Sequence, residues 1–169
     1  VEHSQGFMFH NDSLMHGFWQ ASRADVVVVC LGINSLYEGE EGDAMLNSNG
    51  GDRTDIGLPK NQIEYVRKLK ETAGDKPLIV VITGGSAIAF SEIEDMADAI
   101  LFAWYPGEQG GNAVADIIFG NVNPSGRLPV TFYKSTTDLP DFDDYSMKGR
   151  TYKYFQNEPL YPFGYGLSY

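Results

Sequence analysis

The sequence predicts an α/β fold, a three-layer α/β/α sandwich around a mostly parallel sheet of about five or six strands. Three short apolar runs, at 26–31, 78–83 and 99–104, are typical of buried strands. Stretches in which apolar residues recur at helical spacing separate these runs. Because strand–helix–strand connections in one sheet are right-handed, this alternation predicts parallel strands with helices on both faces.

The first strand is the most apolar part of the chain. Its unbroken β-branched residues predict burial on both faces of the sheet. Before it, residues 1–11 are polar and predict a linker or arm. A helix over 14–21 should follow, capped by Asp12 or Ser13. We therefore expect an N-terminal linker and helix at 1–23 and one α/β domain at 24–169.

The rest of the chain continues the alternation. The further predicted elements are a helix from Leu58-Pro59 to Gly74, a short helix at 88–96, a helix at 113–119 closed by Gly120, and an edge strand at 128–132. Beyond Lys134 the sequence becomes rich in aromatic residues and proline, which predicts an extended tail with a possible short strand at 152–155.

Composition limits the possible partners. With 43% hydrophobic and 21% charged residues, the chain fits a soluble globular domain. A formal net charge of −11 argues against nucleic acid and anionic membranes as partners. Neutral ligands such as sugars are compatible with it. The first residue is not Met, so we expect a piece of a longer protein.

No metal or cofactor is predicted. The single cysteine, Cys30, lies inside an apolar run, and we expect it to be a small buried residue. One cysteine excludes an internal disulfide and a cysteine-based metal cluster. The three histidines, His3, His10 and His16, do not have the spacing of a metal site.

An acidic loop follows the first strand. Here the acidic loop means residues 38–55, which begin Glu38-Gly39-Glu40-Glu41 and contain six carboxylates, with Arg53 as the sole cation. Ligands of open α/β sheets bind at the carboxyl ends of the strands. Crowded carboxylates raise one another's pKa values, as general-acid chemistry requires. The alternative is a solvated surface loop without a ligand.

Two glycine-rich loops should meet the acidic loop at one sheet edge. The first, Gly84-Gly85-Ser86, is similar to a serine nucleophile elbow, but it lacks the final glycine and a downstream histidine. The second, 107–111, is not a phosphate-binding pattern, and its Glu108 would repel phosphate.

Several side chains in and around these loops have structural alternatives. Ser86 and Asn112 could be helix caps. Trp104 is either a core residue or a sugar platform. Asp52 and Arg53 could contact substrate, or form a local ion pair that shapes the loop.

Several ordered motifs resemble the C-terminal α/β sandwich domain of glycoside hydrolase family 3, the family of β-glucosidases and β-xylosidases. The motifs are Ala24-Asp25-Val26-Val27-Val28-Val29, Glu38-Gly39-Glu40, Gly51-Asp52-Arg53-Thr54-Asp55, Leu58-Pro59, Trp104-Tyr105-Pro106-Gly107-Glu108-Gln109-Gly110-Gly111, Asn123-Pro124-Ser125-Gly126-Arg127-Leu128-Pro129 and Pro162-Phe163-Gly164-Tyr165-Gly166-Leu167-Ser168-Tyr169. They span residues 24–169 in the family's order.

The resemblance implies an exo-acting, retaining β-glycosidase. Its active site would lie between this domain and an N-terminal barrel domain that carries the Asp nucleophile, and its substrates would be β-linked glucoside or xyloside oligosaccharides. The barrel of the parent protein is thus an expected partner, with a periplasmic or secreted location. No cofactor is implied. Without the barrel, this chain should be inactive.

The resemblance also assigns the general acid/base. Glu38 matches the family's position best, and Glu40 is the second choice. The Asp52-Arg53 pair follows Glu38 at a greater distance than in many family members, because the insertion at 43–50 separates them. Asp52 and Arg53 are the candidates for substrate binding or for shaping the loop.

Overall fold

The computed structural model describes residues 1–9, 11–39, 42–47 and 49–169. His10 and Glu40, two residues weighed from the sequence, lie outside the described residues. The strands are β1 (Phe7–Met8), β2 (Asn11–Met15), β3 (Val27–Gly32), β4 (Leu78–Thr83) and β5 (Ala99–Phe102). The α-helices are α1 (Phe18–Arg23), α2 (Ser35–Glu38), α3 (Lys60–Ala73), α4 (Ser91–Glu94), α5 (Gly110–Ile118) and α6 (Thr151–Tyr154).

A three-stranded parallel sheet forms the centre of the fold. Its strand order is β3-β4-β5, with Val29 beside Val80 and Val80 beside Ile100. The α/β class, the parallel pairing and these three strands confirm the sequence prediction. The number of strands differs, because the described residues form three parallel strands rather than five or six.

The predicted edge strand at 128–132 is wrong. Leu128 and Phe132 pair instead with the C-terminal segment, through hydrogen bonds from the Leu128 amide to the Tyr165 carbonyl and from the Phe132 amide to the Tyr161 carbonyl. One isolated bridge results, between Phe132 and Tyr161. The possible strand at 152–155 is likewise a helix, α6.

The N-terminal arm also differs from the prediction. β1 and β2 form an antiparallel hairpin, so Met15 belongs to a strand and the first helix starts only at Phe18. Gly17 adopts a left-handed conformation (φ 89°) at the junction. The rings of Phe7 and Phe18 pack 5.4 and 5.6 Å from the ring of Tyr65 on α3. These aromatic contacts join the arm to the domain.

α3 covers one face of the sheet. Pro59 precedes its first turn, and Gly74 ends it with φ 64°. The buried side of α3 includes Ile63, Val66 and Leu69. The predicted helix is thus confirmed.

The opposite face of β3 is open, which corrects the expectation of burial on both faces. Val27, Val29 and Leu31 point into the core, whereas Val28 is 46% exposed and Cys30 is also exposed. Cys30 is therefore not the buried residue that the sequence predicted. The physical reason is that α1 and α3 pack on one side only.

Candidate active site

The predicted convergence of loops is present. Glu38 ends α2, which follows β3, and the side chain of Asn34 caps this short helix by accepting a hydrogen bond from the Tyr37 amide (3.2 Å). Gly85 and Ser86 follow β4, and Tyr105 follows β5. These residues meet at the carboxyl edge of the parallel sheet, where α/β proteins place their ligands.

Glu38 is the centre of this cluster. Its Oε2 accepts hydrogen bonds from the Gly85 amide (3.0 Å) and the Tyr105 hydroxyl, and its Oε1 accepts one from the Ser86 hydroxyl. Arg53 Nη2 lies 3.8 Å from Oε1. We call Glu38, Arg53, Gly85, Ser86 and Tyr105 the Glu38 cluster. It joins the loops after all three parallel strands.

Arg53 fixes the direction of the hydrogen bonds. Its Nη2 donates to Ser86 Oγ at 2.7 Å, so the Ser86 proton is free to point at Glu38. Of the two alternatives for Asp52 and Arg53, a local ion pair is absent from the described residues, because Arg53 pairs with Glu38 and Asp52 is exposed. Among the described residues, the buried Arg53 Nη1 has no hydrogen-bond partner.

The protonation of Glu38 differs from the expectation. Burial by itself would raise its pKa, but hydrogen bonds from Ser86, Tyr105 and the Gly85 amide, with the charge of Arg53, hold the pKa below its usual range. The sequence predicted a raised pKa from the neighbouring carboxylates. That prediction is wrong because donors and a cation surround this carboxylate.

The pKa of Tyr105 shifts in the opposite direction, upwards. Burial, followed by the hydrogen bond and negative charge of Glu38, raises the pKa of Tyr105 to about 12. Its hydroxyl therefore keeps its proton at neutral pH and donates it to Glu38. The sequence pattern indicates no role for Tyr105, and a helix cap is one of its alternatives for Ser86. Ser86 is not a cap, because α4 starts at Ser91 after Phe90.

Backbone and side-chain bonds organise the described part of the acidic loop. Asn47 Nδ2 donates to the Gly51 carbonyl (2.8 Å), and the Gly42 amide donates to the Gly50 carbonyl (2.9 Å). Asp55 Oδ1 accepts from the Gly57 amide (2.8 Å). These bonds hold the described part of the loop in a folded conformation.

The other weighed residues lie outside the cluster. Trp104 packs edge-on against Phe102, with ring centroids 4.8 Å apart, which favours the core alternative. Asn112 is inside α5, where its Nδ2 donates to Gln109 Oε1 (2.7 Å), so it is not a cap. Glu108 is exposed.

No group of three or more histidine, cysteine or carboxylate side chains in the described part of the chain could hold a metal ion. Within the same residues, no helix has the length and apolar character needed to cross a membrane. The Glu38 cluster itself consists of a hydrogen-bonded carboxylate with an arginine and a phenol beside it.

Comparison with known families decides the identity. The profile of the glycosyl hydrolase family 3 C-terminal domain matches residues 16–169. The chain belongs to glycosyl hydrolase family 3. The matched region begins before residue 24, so it includes α1 as well as the whole parallel sheet.

Curated relatives of this family 3 domain include both xylosidases and glucosidases. A xylan 1,4-β-xylosidase of Xylanibacter ruminicola is 54% identical over 144 residues, which is 85% of this chain and 16% of the relative. A periplasmic β-glucosidase of Salmonella typhimurium is 40% identical over 161 residues, 88% of this chain and 20% of the relative. The chain thus spans about a fifth or less of these relatives.

Two solved glycosidase structures superpose on this chain. A family 3 exo-β-xylosidase in complex with a xylobiose aziridine probe superposes with a TM-score of 0.77 at 31% identity, over 97% of this chain and 22% of that one. A β-glucosidase from Erythrobacter marinus gives a TM-score of 0.71 at 39% identity, over 89% of this chain and 20% of that one.

Proposed function

We propose that this chain is the C-terminal domain of a retaining, exo-acting β-glycosidase and that its acidic loop supplies the general acid/base carboxyl. The observation that carries the proposal is the family match over residues 16–169. The candidates for the acid/base are Glu38 and Glu40, both in the acidic loop. The nucleophile would be an Asp of an N-terminal barrel domain, as the family resemblance implies.

The reaction needs two carboxyl groups. In a retaining glycosidase one carboxylate attacks the sugar, and a second carboxyl about 5–5.5 Å away protonates the leaving oxygen and then activates water. A domain that holds only the second group cannot form the glycosyl-enzyme. We therefore expect the isolated chain to be inactive, with the barrel of the parent protein as its partner.

The substrates that we propose are β-linked xyloside and glucoside oligosaccharides. Xylosides rank first, because the xylosidase relative is 54% identical and the glucosidase relative 40%. One of these relatives is named as periplasmic, which supports a periplasmic or secreted location for the parent protein.

The test compares the full-length protein that carries this sequence with the isolated chain. Both are assayed on an aryl β-xyloside and an aryl β-glucoside, and the anomer first released is identified by NMR. We expect the full-length protein to hydrolyse at least one substrate with retention and the isolated chain to hydrolyse neither. Robust turnover by the isolated chain would contradict the proposal.

Two variants test the role of the loop. Glu38→Gln and Glu40→Gln in the full-length protein are assayed on a substrate with a poor leaving group. If the loop supplies the acid, at least one variant loses most of its activity. If both keep full activity, the domain is a non-catalytic scaffold or carbohydrate-binding module instead.

A further inference from the structure

Tyr105 is the most exposed side chain of the Glu38 cluster. It is 52% exposed, although its hydroxyl donates a hydrogen bond to Glu38 Oε2. The side chains of Glu38 and Arg53, in contrast, are only 15% and 12% exposed. Among the charged and aromatic side chains of the cluster, the Tyr105 ring therefore offers the accessible surface at the carboxyl edge of the sheet, where α/β proteins place their ligands.

The loop after β4 makes room for this ring. A Cβ atom at Gly85 would lie 2.8 Å from Tyr105 Cε2 and 3.1 Å from Glu38 Oε2. A glycine is therefore required for the close approach of the ring and the carboxylate to the loop backbone. One edge of the ring lies against Gly85 and the hydroxyl is bonded to Glu38, so two contacts hold the ring in one orientation.

The backbone before Tyr105 is strained. Trp104 has a left-handed conformation (φ 55°), which is rare for a large side chain. Its ring packs edge-on against Phe102 and Phe132, with centroid distances of 4.8 and 6.0 Å, and its carbonyl accepts a hydrogen bond from the Gly84 amide (3.3 Å). Such strain persists where the surrounding structure maintains it, and it is concentrated at functional sites. Here it comes directly before the ring that the cluster exposes.

The chemistry of this surface suits a neutral sugar. The face of an aromatic ring is negative, whereas the C–H hydrogens of a pyranose carry a partial positive charge, so the two stack favourably. The hydrogen bond to the Glu38 carboxylate polarises the phenol and strengthens this attraction. The net charge of −11 and the carboxylate beside the ring disfavour an anionic ligand.

We propose that Tyr105 is a substrate-binding residue, on whose ring a pyranose unit of the β-linked xyloside or glucoside stacks. This inference rests on the proposed function and adds a contact to the substrate. The hydroxyl of Tyr105 orients the ring through Glu38, and the ring itself makes the contact. Removing the ring should therefore cost more than removing the hydroxyl.

The first test separates the ring from the hydroxyl. In the full-length protein, Tyr105→Phe keeps the ring and Tyr105→Leu keeps only apolar volume, and both are assayed on xylobiose and cellobiose. On the substrate that the wild type hydrolyses better, Tyr105→Leu should lower kcat/KM about tenfold, chiefly through KM, and Tyr105→Phe by less than about threefold. An equal or larger loss in Tyr105→Phe, or no loss in Tyr105→Leu, would overturn the inference.

Tyr145→Leu is the matched control. Tyr145 is 88% exposed and has no contact with the Glu38 cluster among the described residues, so kcat/KM should stay unchanged. Because Tyr105 is itself half exposed, we expect Tyr105→Leu to fold, and circular dichroism of the variant checks this expectation.

A second measurement does not depend on turnover. The affinity of the full-length protein for thio-linked xylobiose and thio-linked cellobiose, whose sulfur bridge resists hydrolysis, is measured by titration calorimetry. The Kd of the tighter ligand should rise about tenfold in Tyr105→Leu and change by less than about threefold in Tyr105→Phe. Binding that depends on the ring in a protein without hydrolytic activity would support this inference and refute the proposed function alone. Absence of binding, or a Kd that Tyr105→Leu leaves unchanged, would refute this inference whether or not the protein hydrolyses glycosides.

Discussion

Gln62 on α3 makes two hydrogen bonds with the backbone of Gly32 at the end of β3. Its Oε1 accepts from the Gly32 amide at 2.8 Å, and its Nε2 donates to the Gly32 carbonyl at 2.6 Å. The Gln62 side chain is completely buried. The side-chain amide of Gln62 therefore provides hydrogen-bond partners for the backbone N–H and C=O of Gly32. These groups lie at the buried end of β3, where the chain turns towards the acidic loop.

Gln62→Leu should lower the free energy of unfolding by about 2–4 kcal/mol. The variant keeps the volume of the side chain but leaves a buried N–H and a buried C=O without partners, each of which costs about 1–3 kcal/mol. Urea denaturation of wild type and variant measures the difference.

Glu71→Leu is the control for this change, since Glu71 is exposed on the same helix. We expect it to alter the free energy of unfolding by less than about 0.5 kcal/mol. If the two variants lowered the free energy of unfolding equally, the Gln62–Gly32 hydrogen bonds would contribute no more to stability than a surface side chain does.

Gly32→Ala should destabilise the protein by about 3 kcal/mol or more. Gly32 has φ 128°, and a Cβ atom there would lie 1.8 Å from the Thr83 carbonyl oxygen, so the backbone must move. Gly74→Ala is the matched control, because Gly74 also has positive φ (64°) but no atom lies within 4 Å of its Cβ position. The control should cost about 1 kcal/mol, and both values come from the same denaturation experiment.

Hydrophobic patterning predicted the central sheet well. The strand at 78–83 was predicted with its observed ends, because buried parallel strands are uninterrupted apolar runs. The hairpin at residues 7–15 was not predicted, since Phe7 and Met15 are stabilised by distant contacts around Tyr65 rather than by a local pattern. The strand count failed because Phe132 and Leu128 pair with Tyr161 and Tyr165, which lie 29 and 37 positions further along the chain.

The site was predicted in part. The position of Glu38 at a strand-end edge followed from the parallel order of strands, and the structure places it there beside Gly85. Its pKa could not follow from sequence, because nearby carboxylates in the chain suggested repulsion. The groups that decide the pKa, Ser86 and Tyr105, are 48 and 67 residues away. Gln62 was missed because a glutamine on an amphipathic helix looks like a surface residue.

Lowering the pH should remove the contribution of Glu38 to stability. Its pKa in the folded state lies below its usual range, so the ionised form stabilises the folded state at pH values above the unfolded pKa, about 4.3. The contribution is lost as the pH falls through the folded pKa. The difference in unfolding free energy between wild type and Glu38→Gln should therefore be largest near pH 6–7 and shrink below about pH 4.

Denaturant titrations between pH 3 and pH 7 measure this difference, with Glu92→Gln, a change at an exposed glutamate on α4, as the control. A stability advantage of wild type that grows towards acid pH would mean that the protonated form of Glu38 is the one bound in the folded state. That result would favour Glu38 as the proton donor.

Cys30 should react with iodoacetamide in the folded chain. Its side chain is on the open face of β3 and is exposed. Partial burial nevertheless raises the pKa of the thiol, and the thiolate is the reactive form. We expect labelling without denaturant, with a rate that reaches half its maximum at a pH above the usual thiol value of about 8.5.

Mass spectrometry follows this labelling, with the chain in guanidinium chloride as the reference for a fully accessible thiol. Resistance of Cys30 until unfolding would mean that the face of β3 opposite α3 is covered in solution. The same comparison in the full-length protein tests coverage by the rest of that protein. Protection there but not in the isolated chain would show that residues outside this chain complete the burial that the unbroken apolar strand predicted.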